Sequence, residues 1–331
     1  MLGALALAAL VPLVLLYQRT WSNNERRRRR EVYSDDDDAL LLNLAEPQTR
    51  WFNMGYWDTH TDSFADACAQ LCRKVAQAAR LEPHQRICEV GYGSGDSTLL
   101  LAREFSPKSY VGLTSLHSQC ETASASTPSL LLFAPRRIPS RHAERRAAEA
   151  GLPADQFRLL QGDAATDLAQ FPSSSVDAVL AVDCAYHFNT RSSFLSSAHA
   201  LLSPGGSIAL TDLLLPSAPL PLTSHLLLRI LFLLAKAPWS NFLTPASYLA
   251  QLEAHGFEGV EMVDISESVW PGFCEFVRGR DERMGGVFGR KWRSLGRYGR
   301  VVEWYSGVRS GRPKLRFYLV SARKAARKEK D

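Results

Sequence analysis

The hydrophobic pattern beyond residue 50 alternates between two periods. From Phe64 to Ala79 apolar residues recur every three to four positions, which predicts an amphipathic helix, whereas Arg86 to Val90 is a short apolar run that predicts a buried strand. The same criteria predict further helices over 97–105, 142–150, 191–202 and 241–257, and further strands over 109–113, 157–160, 176–182, 207–210, 259–265 and 315–321. Such alternation is typical of a parallel sheet with helices on both faces.

The N-terminal region has a different pattern. Residues 2–17 form an uncharged apolar run, about 24 Å long as a helix, and Arg26 to Arg30 follow on what would be the cytoplasmic side. We therefore expect residues 1–21 to form a single-pass membrane anchor helix with the catalytic domain in the cytosol, at the endoplasmic reticulum or alternatively the mitochondrion. A signal peptide, a mitochondrial presequence and an artefactual start are the other interpretations. Residues 22–50 contain a basic and then an acidic run, which predicts a charged linker before a folded domain over 51–331.

Composition narrows the class of protein. A chain of 331 residues that is 46% hydrophobic and 22% charged is globular, which excludes a disordered or polytopic membrane protein. The stretch 278–331 is basic and predicts a helical hairpin over 278–300, but it has no nucleic-acid recognition signature, so no nucleic-acid partner is expected. Six cysteines without a CxxC motif indicate neither a metal site nor a disulfide scaffold.

A glycine-rich loop follows the first predicted strand. It contains Gly91, Gly93 and Gly95, and Glu89 stands two positions before its first glycine. Glycines let the backbone turn sharply and approach a ligand, and the next helix offers unpaired N–H groups at its N-terminus. Dinucleotide-dependent dehydrogenases also use such a loop, although with GxGxxG spacing. The loop by itself predicts a nucleotide-type cofactor site.

Three motifs in register resemble those of class I S-adenosylmethionine-dependent methyltransferases. They are the glycine loop, the Gln161–Ala164 segment after the third strand and the Leu202–Gly206 segment before the fifth, within a similarity that covers about 51–276. The resemblance implies a Rossmann-like, seven-stranded, mostly parallel sheet with an antiparallel strand at its edge. It also implies methyltransferase activity with S-adenosylmethionine as cofactor.

The resemblance also implies which residues contact the cofactor. The second strand ends in Thr114 where the common pattern has an acid, and Gln119 follows, which is similar to the cyclopropane-synthase and sterol/tocopherol methyltransferase branch. The segment 120–141 is about twenty residues longer than that branch has there, which indicates a surface insertion or an error in the gene model. The implied cofactor residues are Glu89, Gly91, Gly93, Gly95, Thr114, Gln119, Gly162, Asp163, Ala164 and Asp183.

The residues that act on the methyl acceptor are expected directly after strands four and five. His187, with Tyr186 beside it, follows strand four, and Asp212 ends strand five. In related small-molecule methyltransferases residues at the positions of His187 and Asp212 serve as base or orienter, so we expect them to act as a pair on the acceptor. The alternative is that His187 only lines the pocket. Tyr56 and Trp57 resemble the family's N-x-G-x-W element and are expected near the sulfonium, or otherwise in a plain hydrophobic lid.

The resemblance implies that the segment 213–243 forms the acceptor cap. Its apolar run over 226–235 is too short to span a bilayer and predicts either a core helix or an interfacial helix that admits a lipophilic acceptor. A turn is expected at 269–273. The whole pattern predicts a membrane-anchored methyltransferase for a small lipophilic acceptor, with O, N and C all open as the methylated atom. Alternatives are cyclopropane-synthase-like lipid methylation, a non-catalytic binding module and a dehydrogenase.

Overall fold

A computed structural model describes residues 42–44, 49–59, 61–115, 141–284 and 289–326, with the backbone alone at 141, 142, 144, 283, 284 and 289–295. The expected anchor, most of the linker, Gln119 and nearly all of the 120–141 segment lie outside the described residues. Among the helices within those ranges, none combines the length and the apolar character needed to cross a membrane.

The sheet has seven strands in the order β3-β2-β1-β4-β5-β7-β6. The strands β1 to β5 are parallel, and β7 pairs antiparallel with both β5 and β6. This confirms the expected sheet, although β7 lies inside it and β6 forms the edge. The strands are β1 Arg86–Val90, β2 Ser109–Thr114, β3 Phe157–Gln161, β4 Val176–Ala181, β5 Leu202–Leu214, β6 Phe257–Asp264 and β7 Arg316–Lys324.

Eight helices accompany the sheet in the described part of the chain. Three of them begin at a capping hydroxyl: Ser63, Thr190 and Thr244 each accept a backbone N–H three residues on. Pro245 follows Thr244 at the first helical position, as predicted. The helices are α1 Phe64–Ala78, α2 Asp96–Phe105, α3 Arg141–Glu149, α4 Arg191–Leu201, α5 Leu222–Leu234, α6 Pro245–Ala254, α7 Ser266–Met284 and α8 Gly289–Ser306.

One predicted turn is wrong. The segment 269–273 lies inside α7, because Val269, Trp270 and Phe273 are buried at helical spacing and Trp270 packs edge-on against Phe317. This packing outweighs the helix-breaking tendency of Pro271. Within the long strand β5, residues 203–206 have no partner on β4, because Val176 pairs with Leu202 and Ala178 with Ser207.

Two hydrophobic clusters cover the opposite faces of the sheet. One contains buried residues of α1, α2, α3, α5, α7 and α8, and the other contains those of α4 and α6. Helices on both faces leave the carboxyl ends of the parallel strands open, which is where ligands bind in such sheets.

Candidate active site

The carboxyl ends of four strands bring the predicted cofactor residues to one edge of the sheet. The glycine loop follows β1, Thr114 ends β2, the Gly162–Ala164 segment follows β3 and Asp183 follows β4. Because β1 and β4 are neighbours whose connections lead to opposite sides, the chain changes direction between them. A crevice at such a switch point is the usual binding site of an open α/β sheet.

The glycine loop has the backbone that only glycine adopts easily. Gly91 has a φ of 79° and Gly93 a φ of 57°. A Cβ on Gly91 would lie 2.5 Å from the sulfur of Cys184, so glycine is needed for the loop to pack on the end of β4. Among the described residues, a Cβ on Gly93 would meet the Phe52 ring at 3.6 Å, an ordinary van der Waals contact. Gly93 lies just before the N-terminus of α2.

An ion pair holds this loop in place. Arg146 of α3 makes two hydrogen bonds of 2.8 Å to the Asp96 carboxylate and donates to the carbonyl of Ser94 at 2.7 Å. The backbone N–H of Arg50 donates to the same carboxylate at 3.2 Å, which ties the segment before α1 to the loop. Sequence reasoning missed these residues, and only the position of Asp96 directly after the last loop glycine pointed to them.

Glu89 supports the loop from below. Its side chain is buried and accepts the hydroxyl of Tyr110. Burial raises the pKa of Glu89 to about 7, against the lowering effect of hydrogen bonds from Ser97, Tyr110 and Thr98. The hydrogen-bond partners of Glu89 in the structure are side chains of the protein, and its contact with the cofactor stays a prediction.

The segment expected on the adenine side of the cofactor follows β3. The backbone N–H of Gly162 donates to the carbonyl of Thr114 at 2.8 Å, and a Cβ on Gly162 would lie 2.6 Å from a carboxylate oxygen of Asp167. Asp163 is exposed, and its Oδ1 accepts the N–H of Ala165 at 2.8 Å. This bond orients the Asp163 carboxylate at the edge of the crevice, where it can accept an amino group.

The segment around Met54 is fastened to the end of β4. The N–H of Met54 donates to Asp183 Oδ2 at 2.8 Å, and the indole N–H of Trp57 donates to the carbonyl of Met54 at 2.8 Å. The Trp57 ring lies 5.8 Å from that of Phe276, between centroids, and packs against Gly272 of α7. This arrangement favours the hydrophobic-lid interpretation of Trp57.

The Tyr56 ring contacts the ammonium group of Lys74. The Lys74 ammonium is 5.1 Å from the Tyr56 ring centroid, and the Tyr56 N–H donates to the carbonyl of Ala67 in α1. A Tyr56 contact with the cofactor sulfonium stays a prediction.

Asp183 links this lid to the predicted catalytic residues. It has a φ of 54°, its N–H donates to Thr211 Oγ1 at 2.8 Å, and its Oδ1 accepts the Tyr186 hydroxyl at 3.1 Å. Burial raises the pKa of Asp183 to about 7, against the hydrogen bonds from Met54 and Tyr186. One carboxylate therefore fixes both the lid and Tyr186.

His187 lies next to this network, on the short 3-10 turn Ala185–His187 after β4. Its ring centroid is 4.4 Å from that of Tyr186, and the side chain is half-buried. Burial lowers the pKa of His187 to about 4. The imidazole is therefore neutral near pH 7, the form that can accept a proton.

Asp212 does not face the crevice, which corrects the expectation that it pairs with His187. The side chain is completely buried, its Oδ2 lies 2.5 Å from Arg191 Nη1, and its Oδ1 accepts the N–H of Leu213 at 2.8 Å. Alternation along β5 directs Asp212 to the side of the sheet that α4 and α6 cover, and Arg191 lies there.

The matched family agrees with this geometry. Residues 62–262 match the family model described as a methyltransferase domain. The chain belongs to this family. It is a class I S-adenosylmethionine-dependent methyltransferase, which removes the dehydrogenase alternative.

Several known proteins are similar to this methyltransferase. Erythromycin 3''-O-methyltransferase of Saccharopolyspora erythraea is 26% identical over 85% of this chain and 85% of its own. The O-methyltransferase resE of Aspergillus sclerotiorum is 26% identical over 75% of this chain and 83% of its own. The cyclopropane synthase MmaA2 of Mycobacterium tuberculosis is 16% identical, with a TM-score of 0.65 over 88% of this chain and 94% of that structure, a likeness of fold.

S-adenosylmethionine is the cofactor, and the site fits it. The N-terminus of α2, whose N-cap Gly95 has no side-chain capping bond, can take the methionine carboxylate, because a helix N-terminus attracts an anion. Asp163 presents an acceptor at the position that the resemblance gives to the adenine amino group. Thr114, which the resemblance places on the ribose side, is buried at the end of β2.

Proposed function

We propose that this methyltransferase transfers its methyl group to a hydroxyl oxygen of a small lipophilic acceptor. The observation that carries the proposal is the position of His187 on the turn at the carboxyl end of β4, beside the point where the chain changes direction in the sheet. A hydroxyl must lose its proton as it is methylated, and the imidazole of His187 would accept that proton. The names of two relatives, which describe O-methyltransferases, support the choice of oxygen.

The residues of the crevice suit that reaction. S-adenosylmethionine, when bound, supplies a methyl group on a positively charged sulfur. The imidazole of His187 would take up the proton that the acceptor hydroxyl loses on methylation. Asp183 holds the Tyr186 hydroxyl and the Met54 backbone, so the crevice is closed on one side by the lid. Alignment of the acceptor in a dry site supplies the remaining rate enhancement.

The apolar cap supports a lipophilic acceptor. Phe232 of α5 stacks on Phe242 with ring centroids 3.8 Å apart, and both side chains are buried. Asn241 joins the cap to the catalytic turn, because its side-chain amide donates to the carbonyls of Tyr186 at 3.1 Å and Phe188 at 2.7 Å. The acceptor would therefore contact His187 on one side and the aromatic and aliphatic side chains of the cap on the other.

Product analysis with labelled donor tests this proposal. The enzyme is incubated with methyl-deuterated S-adenosylmethionine and a panel of hydroxylated, aminated and alkene-bearing lipophilic compounds, and the labelled products are identified by mass spectrometry. We expect methyl ethers, and a loss of product in His187→Ala. The control is His84→Ala, since His84 is exposed and precedes β1 at the opposite end of the sheet. Labelled products methylated only at nitrogen or carbon would exclude the oxygen proposal.

We also propose that residues 1–21 anchor the enzyme in a membrane, with the catalytic domain in the cytosol. The support is in the sequence: the uncharged apolar run over 2–17 and the five arginines over 26–30. Carbonate extraction should leave the full chain in the membrane pellet, and a chain without residues 1–21 should bind S-adenosylhomocysteine in the soluble fraction. Complete release of the full chain by carbonate would exclude an integral anchor.

A further inference from the structure

The cap helix α5 is apolar on both sides. Leu228 and Phe232 face the protein and are buried. On the other side, the exposed fractions are 82% for Leu222, 48% for Leu227, 54% for Leu233 and 45% for Leu234. A surface helix of a soluble domain normally turns a polar face to water, whereas a helix that is hydrophobic all round is covered by protein or lipid.

The exposed leucines form one continuous surface. Successive residues of a helix are about 100° apart, so these positions occupy an arc of about 140° opposite Leu228 and Phe232. Thr223 is the only polar residue within that arc. We call this arc the docking face; it consists of Leu222, Leu226, Leu227, Ile230, Leu233 and Leu234.

The charges around the docking face have one sign. From Leu213 to Leu252 the sequence has no Asp or Glu, while Arg229 and Lys236 are both exposed. The Arg229 guanidinium lies 5.5 Å from the ring centroid of Trp239, next to the helix. Arginine, lysine and tryptophan beside an apolar helix face are the residues that occupy the headgroup level of a bilayer.

The geometry points to a membrane surface as the occupant: we propose that the docking face lies in the headgroup region of an anionic lipid bilayer. The thirteen residues of α5 measure about 20 Å, less than the roughly 30 Å hydrocarbon core, so the helix lies in the plane of the surface. Arg229 and Lys236 contact lipid phosphates there. This contact is independent of residues 1–21 and of the atom that is methylated.

The contact would also connect the acceptor site to the lipid. The buried side of α5 packs through Phe232 on Phe242, and Phe242 directly follows Asn241, which binds the catalytic turn. A lipophilic acceptor dissolved in the bilayer would therefore reach the cap residues above the active site without passing through water.

A fluorescent label on the docking face tests the proposal in the full chain. The parent is Cys120→Ser, because the cysteines that the structure describes are buried or half-buried. Leu233→Cys carries the label on the docking face, and Leu249→Cys carries it on α6, where Leu249 is 37% exposed. Each protein is reconstituted into vesicles of phosphatidylcholine with 30% phosphatidylserine, and quenching by spin-labelled lipid is measured.

We expect quenching at residue 233 to exceed that at 249 by at least threefold, and to weaken in pure phosphatidylcholine. Since each basic residue at an anionic surface contributes about 1 kcal/mol, Arg229→Gln with Lys236→Gln should lower the docking equilibrium by about thirtyfold.

Equal, weak quenching at both labels in vesicle-bound protein would overturn the proposal, as would a crosslink from residue 233 to a second copy or to residues 1–41. Failure of the methyltransferase proposal would appear instead as absent methyl ether formation with the label response intact.

Discussion

The buried ion pair Arg191–Asp212 allows a direct test of whether Asp212 stabilises the fold. Both side chains are completely buried, and the two charged groups are 2.5 Å apart. Arg191 also donates to Gln251 at 3.2 Å and stacks 4.1 Å from the Tyr248 ring centroid. Removing one charge of a buried pair leaves the other uncompensated, which costs about 3–5 kcal/mol. We expect Asp212→Asn to lose that amount of unfolding free energy.

Urea unfolding of the full chain, followed by circular dichroism, measures this loss. The double variant Arg191→Met with Asp212→Leu should recover most of the stability, because no charge is then left unpaired. The surface pair Arg73–Glu104 is the matched control, with exposed fractions of 36% and 31%. Glu104→Gln should cost at most about 1 kcal/mol.

Two results would refute this reasoning. One is an Asp212→Asn variant that is as stable as Glu104→Gln, since the buried charge would then carry no cost. The other is a double variant with restored stability and S-adenosylhomocysteine binding but a turnover lowered more than about a hundredfold, which would return Asp212 to the acceptor side.

Three further outcomes are expected. His187→Ala should lower kcat by about 10²- to 10⁴-fold and leave the affinity for S-adenosylhomocysteine within about threefold of wild type. Because the pKa of His187 is about 4, the wild-type kcat should stay level from pH 8 to about pH 5. A decline of kcat centred near pH 6.5 would contradict the burial of His187. Gly93→Ala should weaken S-adenosylhomocysteine binding about tenfold or more by calorimetry, whereas Gly151→Ala, also at positive φ with open space around it, should leave binding unchanged. Asp183 has a pKa of about 7 in the folded state against about 4 in the unfolded state, so its contribution to stability is complete below about pH 4 and is lost as the pH rises through 7. In urea unfolding, wild type should therefore lose stability relative to Asp183→Asn between about pH 4 and pH 7. A difference between the two proteins that stays constant over this range would contradict the raised pKa.

The sequence by itself determined the alternation of strands and helices and the place of the glycine loop, and the family resemblance implied the rest of the sheet. Both depend on short, contiguous stretches: apolar residues at a period of two or three to four, and glycines that take positive φ directly after a strand. Because parallel strands end at the same edge of a sheet, the order of the motifs was enough to bring the loop of Gly93 and Asp163 together.

Only the tertiary structure decided the roles of the buried charges and of the cap. Asp96 meets Arg146 across fifty positions, and Asp212 meets Arg191 across twenty-one. No local pattern encodes such a contact, since it depends on which helix covers which face. The same holds for the exposed leucines of α5: the sequence shows an apolar run, but packing through Leu228 and Phe232 on one side leaves the other side uncovered.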